Sequence, residues 1–344
     1  MIKTAIVGAG LVGRKRAESL KSCGHGGWLA AVCDIDRGRA SALAAATGVP
    51  AYNDWRRVLD IPGLEAVIAA APNKFNAEIA AAALERGCHV LCEKPLGRNS
   101  GEAELLNRTA AVRGGILKTG FNHRHHPALG KARALVEAGG LGPLYYIRGV
   151  YGHGGRPGYE KEWRANPEIS GGGVLLDQGV HLVDLCRWFL GEIEEAYGRV
   201  RTAYWLMPVE DNASMILRAE GGRTASLEVS WTQWKNKFQF EIVGEKGYLL
   251  IDGLGGSYGT ERLVRGSRRP DPEKPGRYAG GAPEEVVEEF PGPDASWDEE
   301  WKEFTSSILA GREPLGSGRD GLQANRVIDA VYRSARLNAP VPVG

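Results

Sequence analysis

The chain has 344 residues, 43% of them hydrophobic, and its 43 Lys and Arg nearly balance 42 Asp and Glu for a formal net charge of +1. That is more chain than one hydrophobic core commonly serves, so two domains are expected. The balanced charge leaves no electrostatic footprint for nucleic acid or an acidic membrane surface, and neither partner is expected.

The cysteines, at 23, 33, 88, 92 and 186, are odd in number, never spaced CxxC, and mostly inside apolar runs. They read as reduced, packed thiols of a cytoplasmic protein. The apolar start from Ile2 to Val7 passes straight into glycines without a cleavage site. The longest apolar run, Ala66 to Ala71, is far shorter than the ~20 residues a membrane helix needs, so a soluble protein is expected.

In chain order, Thr4 to Val7 reads as a strand, Gly8-Ala-Gly10-Leu11-Val12-Gly13 as a tight turn, and Arg14 to Leu20 as a helix. In a dinucleotide site the first glycine permits the turn, the second lets backbone approach a pyrophosphate, and the third lets helix pack on strand. The next strand, Trp28 to Cys33, ends at Asp34, 21 positions after Gly13, placed with Ile35 to meet an adenosine ribose. A carboxylate there repels a 2′-phosphate and favours NAD, while Arg37 keeps NADP open. Strands at 64–71, 89–92 and 116–121 alternate with helices, one of them over 76–86, which predicts a parallel sheet. Such sheets bind ligands at their strand ends. That nominates Ala71, Pro72, Asn73 and Asn76 after one strand, and Glu93 and Lys94 after the next, where Pro95 restricts the backbone.

Between Tyr151 and Arg164 a glycine-rich stretch mixes aromatic and charged side chains, so Trp163 and Arg164 are candidate substrate contacts. The run from Ser170 to Trp188 opens with glycines and continues as an amphipathic helix carrying Asp177, His181 and Asp184. Spacings of four and three put all three on one face, a carboxylate beside an imidazole, which would fix the ring tautomer and suit a general acid/base. A satisfied core histidine competes with this reading. No metal is assigned, because neither HExxH nor paired-cysteine spacing accompanies these residues.

Strands predicted at 144–151, 196–205, 213–218, 224–231, 238–243 and 247–251 suggest a mostly antiparallel sheet. Tyr204, Trp205, Trp231 and Trp234 read as packing or an intersubunit sheet face. From Gly253 to Pro293 a Gly/Pro/Arg/Glu-rich excursion with two short strands, at 262–264 and 285–287, is expected.

GAGLVG at 8–13, GCHVLCEKP at 87–95, GFNHRHHP at 120–127 and GGGVLLDQGVHLVD at 171–184, with Trp301 to Phe304 and Ala330 to Ser334, together resemble the Gfo/Idh/MocA family over essentially the whole chain. The resemblance implies an NAD(P)-dependent dehydrogenase of sugars, inositols or their derivatives, with Lys94, Asp177 and His181 beside the nicotinamide. It also implies an open sheet used to form a homodimer or homotetramer. Two places depart from the family pattern: Pro72-Asn73-Lys-Phe-Asn76, where a histidine is common at the last position, and Asn122-His123-Arg124, where paired arginines are common. The first weakens a cofactor contact at Asn76, and the second points to a different substrate met by Asn122 and His123.

The fold expected is α/β, an N-terminal Rossmann dinucleotide-binding domain over 1–122 and a C-terminal α+β domain over 123–344 with a large, mostly antiparallel open sheet. The function expected is NAD-dependent hydride transfer at a secondary alcohol of a cyclic polyol, sugar, amino sugar or nucleotide sugar. His181 is expected as base, Lys94 as donor to the reacting oxygen and Asp177 as their support, with Lys94 and His181 able to exchange roles. Alternatives are an NADPH-dependent ketosugar reductase, an NAD-dependent glycosidase and a non-catalytic dinucleotide sensor.

Overall fold

The computed structural model describes residues 1–269, 271, 273–274 and 281–344. The first sheet contains β1 (Ile2–Val7), β2 (Gly27–Cys33), β3 (Ala51–Tyr52), β4 (Ala66–Ala69), β5 (His89–Cys92) and β6 (Leu117–Thr119). They run parallel in the order β3-β2-β1-β4-β5-β6, the doubly wound arrangement of a dinucleotide-binding domain. All four β4 residues are buried because helices cover both faces of the sheet, which explains their unbroken apolar character.

One face packs against helices Asn73–Glu85 and Ser100–Arg113. The other packs against helix Leu11–Cys23 and, from the far end of the chain, Trp301 and Phe304 of helix Ser296–Ala310. The carboxyl-terminal segment therefore completes the core of the amino-terminal sheet. Charge crosses the same seam: buried Arg16 binds Glu93 Oε1 through Nε (2.7 Å), lies 2.7 Å from Glu300 Oε2, and stacks its guanidinium 4.5 Å over Trp297.

The second sheet holds β7 (Leu144–Gly152), β8 (Ile193–Arg201), β9 (Asn212–Ala219), β10 (Thr224–Ser230), β11 (Lys237–Gly244), β12 (Gly247–Asp252), β13 (Glu261–Ser267), β14 (Glu284–Phe290) and β15 (Val341–Pro342). Their order is β14-β13-β12-β11-β7-β10-β9-β8-β15. β7 and β10 pair in parallel, and the other pairings in this sheet among the described residues are antiparallel. Alternation sets the faces: Ala225, Leu227 and Val229 of β10 point into a core shared with helix Val180–Leu190, while Thr224, Ser226 and Glu228 point out. At Gly198 a Cβ would stand 2.5 Å from Val331 Cγ1, so helix Gly318–Leu337 lies directly on β8.

Two sequence expectations change. The strand predicted over 196–205 ends at Arg201, because the Asp211 carboxylate accepts the backbone N–H groups of Ala203, Tyr204 and Trp205 (2.7, 2.8 and 2.9 Å) and removes them from the ladder. The two short strands expected after Gly253 are full seven-residue partners, β13 and β14; residues 270, 272 and 275–280 of that interval lie outside the described residues.

Phe304 is wholly buried in the amino-terminal core. Phe304→Ala is expected to lower unfolding free energy by about 3–5 kcal/mol in urea titration. A loss below about 1 kcal/mol would mean the helix is not part of that cooperative unit.

Candidate active site

The glycine turn has the shape a dinucleotide phosphate requires. Gly8 has φ +107°, and a Cβ on it would stand 2.3 Å from the Ala70 carbonyl oxygen; one on Gly13 would stand 1.7 Å from that of Gly8. A Cβ on Gly10 would meet nothing within 4 Å, which leaves a bare backbone cradle. Helix Leu11–Cys23 begins there without a side-chain cap, so the N–H groups of Leu11 and Val12 belong to an uncapped helix start suited to an anion. Asp34 accepts from Ala9 N (2.7 Å) and Asp36 N (2.9 Å), bracing the turn from the end of β2. Ile35 and Arg37 beside it are exposed. These residues fit a dinucleotide.

Several nominated residues hold the walls. Asn76 Oδ1 accepts from Ala71 N (2.7 Å) and so shapes the turn through Pro72. Asn73 Nδ2 donates to the Ser170 carbonyl (2.7 Å), tying the first domain to the glycine run of the second. Glu93 turns its carboxylate inward onto Arg16, and Asn122 donates to Ser296 Oγ (2.9 Å). Both carry structure rather than presenting a free polar group.

Lys94, at the end of β5, donates from Nζ to Asp177 Oδ1 (2.8 Å) and to the Asp177 carbonyl (2.7 Å). Arg164 Nε lies 3.5 Å from Asp177 Oδ2 and its guanidinium sits 4.6 Å over the Trp163 ring. Burial alone would raise the Asp177 carboxyl, but Lys94 and Arg164 outweigh it and hold it well below the usual carboxylate range.

Asp177 does not sit on a regular α-helix. Residues Leu175–Gly179 form a π turn that runs into helix Val180–Leu190, and the wider turn spoils the single-face alignment inferred from α spacing. The expected Asp177-His181-Asp184 cluster is not formed. Asp177 belongs to Lys94 and Arg164, while Asp184 accepts from Arg124 Nη2 (2.6 Å) and Nε (2.8 Å).

His181 is oriented by rings instead of a carboxylate. It stacks on His123 with centroids 3.7 Å apart and planes 22° from parallel, and meets Phe121 and Tyr151 edge-on at 6.1 and 6.2 Å. Its Nδ1 is buried without a partner. Burial first, then the charges of Lys94 and His126, push its pKa well below the ordinary 6.5. His123 is depressed likewise, by burial and then by His181, His126 and Lys94. The site thus brings a neutral imidazole within the field of an ammonium held by a carboxylate, which suits proton removal from an alcohol whose oxygen needs positive charge nearby.

Residues that sequence reasoning missed surround this pair. His126 Nδ1 lies 2.9 Å from Glu261 Oε2, Tyr151 closes the ring box, and His153 lies within the fields of Asp177, Arg164 and Lys94. His126 was visible in the histidine-rich 120–127 motif, and Tyr151 and His153 lie in the glycine-rich 151–164 stretch from which only Trp163 and Arg164 were nominated. Cys33, Cys88, Cys92 and Cys186 are buried free thiols, and burial raises their pKa. Among the described residues no group of three or more His, Cys, Asp or Glu is arranged to hold a metal, and no helix is long and apolar enough to cross a membrane.

The family model for the oxidoreductase family with an NAD-binding Rossmann fold matches residues 2–121, and the GFO/IDH/MocA C-terminal domain matches 129–250. The chain belongs to the Gfo/Idh/MocA family. Similar members include a levoglucosan dehydrogenase of Pseudarthrobacter phenanthrenivorans, 27% identical over 85% of this chain and 83% of that one. Another is an inositol 2-dehydrogenase of Rubrobacter xylanophilus, 28% identical over 99% and 93%. Among solved structures, levoglucosan dehydrogenase in complex with NADH and levoglucosan superposes with a TM-score of 0.88 at 23% identity, covering 100% of this chain and 99% of that one. As a Gfo/Idh/MocA oxidoreductase, the chain carries an NAD-binding Rossmann domain, and the relatives it is similar to include sugar and inositol dehydrogenases.

A histidine with a depressed folded pKa is neutral in the folded state where the unfolded chain already takes up a proton, so its contribution to stability falls as pH drops below about 6.5 and levels off below the folded pKa. In ¹⁵N-histidine spectra at pH 6 the His181 ring is expected to be neutral. A titration midpoint at or above 6.5 would contradict the burial argument.

Proposed function

We propose that the chain oxidises a ring CH–OH of a cyclic polyol or sugar with NAD, His181 taking the hydroxyl proton and Lys94 holding the oxygen. The observation that carries this reading is the unequal state of the two groups. Lys94 donates twice to Asp177 and is held by its carboxylate, whereas buried His181 has no carboxylate beside it and burial, then Lys94 and His126, keep it free of its proton. Asp177 and Arg164 steady Lys94, and His123 steadies the plane of His181.

The Gly10 cradle with the N–H groups of Leu11 and Val12 would hold the pyrophosphate, Asp34 with Ile35 the adenosine ribose, and the backbone through Ala71, Pro72 and Asn73 the nicotinamide side. Bound there, NAD supplies the hydride acceptor. Removal of the O–H proton to His181 and of the carbon-bound hydrogen with its electron pair turns the alcohol into a ketone. Lys94 offsets the negative charge that builds on the oxygen, and the buried surroundings of both groups strengthen that effect. The similarity to a levoglucosan dehydrogenase and an inositol 2-dehydrogenase supports the same choice here.

Lys94→Ala and His181→Ala are each expected to lower kcat by ~100-fold or more with NAD affinity nearly intact, since neither side chain meets the phosphate cradle. The assay is NADH absorbance against a panel of inositols, hexoses, pentoses and anhydrosugars. Near-wild-type turnover by either variant would remove that residue from the mechanism.

Cofactor choice has its own test, because Asp34 opposes a 2′-phosphate and exposed Arg37 would attract one. Wild type is expected to bind NAD more tightly than NADP, and Asp34→Asn to narrow the difference. A wild-type preference for NADP in the same titration would transfer the ribose assignment to Arg37.

A further inference from the structure

Two aromatic rings stand open to solvent next to this site. Tyr204 is 58% exposed and Trp234 is 68% exposed, and their rings meet edge-to-face at 4.9 Å. They come from different connections, the loop after β8 and the turn between β10 and β11, yet both are firmly built. The Asp211 carboxylate fixes the backbone at Tyr204, and Trp205 Nε1 donates to the Trp231 carbonyl (3.0 Å) while its ring packs 5.7 Å from Tyr159. The turn carrying Trp234 is tied by Gln233 N to the His153 carbonyl (3.3 Å).

The pair also continues the wall of the site. A Cβ on Gly154 would stand 3.4 Å from Trp234 Cε3, so the ring lies on the backbone next to His153, the residue that feels Asp177, Arg164 and Lys94. Arg164, which holds Asp177, shares Glu162 with Arg156, and the Arg156 guanidinium lies 5.6 Å over Tyr159, the ring that packs on Trp205. Exposed aromatic faces at the mouth of a polar site suit a ligand with one apolar face and a hydroxylated edge, which is the character of a pyranose ring. A second copy of the chain fits less well. Two partly covered rings of roughly 150–250 Å² each, even with the exposed Leu206 two residues from Tyr204, fall short of the ~800 Å² per partner that a stable interface buries.

Resting on the oxidoreductase reading above, we propose that Tyr204 and Trp234 form a second sugar subsite, and that the substrate is a glycoside whose outer ring stacks there while its inner ring is oxidised. The two rings then set specificity for length, not the chemistry.

The test compares each monomer with its glycosylated form, glucose with cellobiose and maltose and myo-inositol with galactinol, by steady-state kinetics and by calorimetry on the NAD-saturated enzyme. At least one glycoside is expected to exceed its monomer in kcat/KM by ~10-fold, and Trp234→Ala to lose ~10-fold more on that glycoside than on the monomer, with Tyr204→Ala moving the same way. Trp234→Phe should recover part of the loss. Equal losses on both substrates, no loss, or a change of sedimentation mass in Trp234→Ala would overturn the subsite, the last by making the patch an interface. If no compound reduces NAD, the oxidation reading fails by itself. Calorimetry still decides the subsite, since glycoside binding weakened by Trp234→Ala supports it and absence of glycoside binding overturns it.

Discussion

The ion pair between Lys94 and Asp177 joins the two halves of the molecule at the point where chemistry is proposed. Lys94 lies two residues beyond the end of β5 in the parallel sheet, and Asp177 sits on the π turn that begins the central helix of the second domain. Each side chain is about one-fifth exposed, so much of their hydration is lost and loss of either would strand a partly buried charge. That dependence explains why the surrounding contacts are so numerous: Arg164 takes the second Asp177 oxygen, and Asn73 pins the Ser170 carbonyl five residues before the π turn begins.

Around this pair the molecule places charges in closed groups and leaves the His181 imidazole outside them. Arg16 is shared by Glu93 and Glu300, Arg124 by Asp184 and Asp320, and His126 faces Glu261. His181 is the contrast, held by ring contacts with its buried Nδ1 unpartnered. Packing rather than a carboxylate is what preserves its neutral form, because an adjacent acid would raise the basicity that burial lowers.

The late helices matter as much as the motifs. Trp301 and Phe304 fill the face of the first sheet behind β1, and the nearby Glu300 reaches Arg16, whose other partner Glu93 directly precedes Lys94. Residues about two hundred positions away in sequence thereby support the strand end that carries the lysine. The second sheet contributes more loosely, through Tyr151 of β7 against His123 and through the turn that carries Trp234.

The glycine fingerprint, Asp34 at its strand end, Lys94 before proline and the run through His181 were legible because each depends on local geometry: a turn without Cβ, a strand length, a helical repeat. Partnership was not legible. Reading 177, 181 and 184 as one face assumed 3.6 residues per turn throughout; the π turn broke that for Asp177, which pairs with Lys94, and Asp184, on the regular helix, is taken by Arg124 from another segment. The strand ending at Arg201, the exposed Trp234 beside buried Trp231, and the stacking of His123 on His181 follow from contacts between segments distant in the chain. The sequence by itself determined which chemical groups are present and the local turns that carry them. Tertiary structure decided which charges neutralise one another and which ring stays free, because those outcomes depend on burial and on distances between elements that no local pattern records.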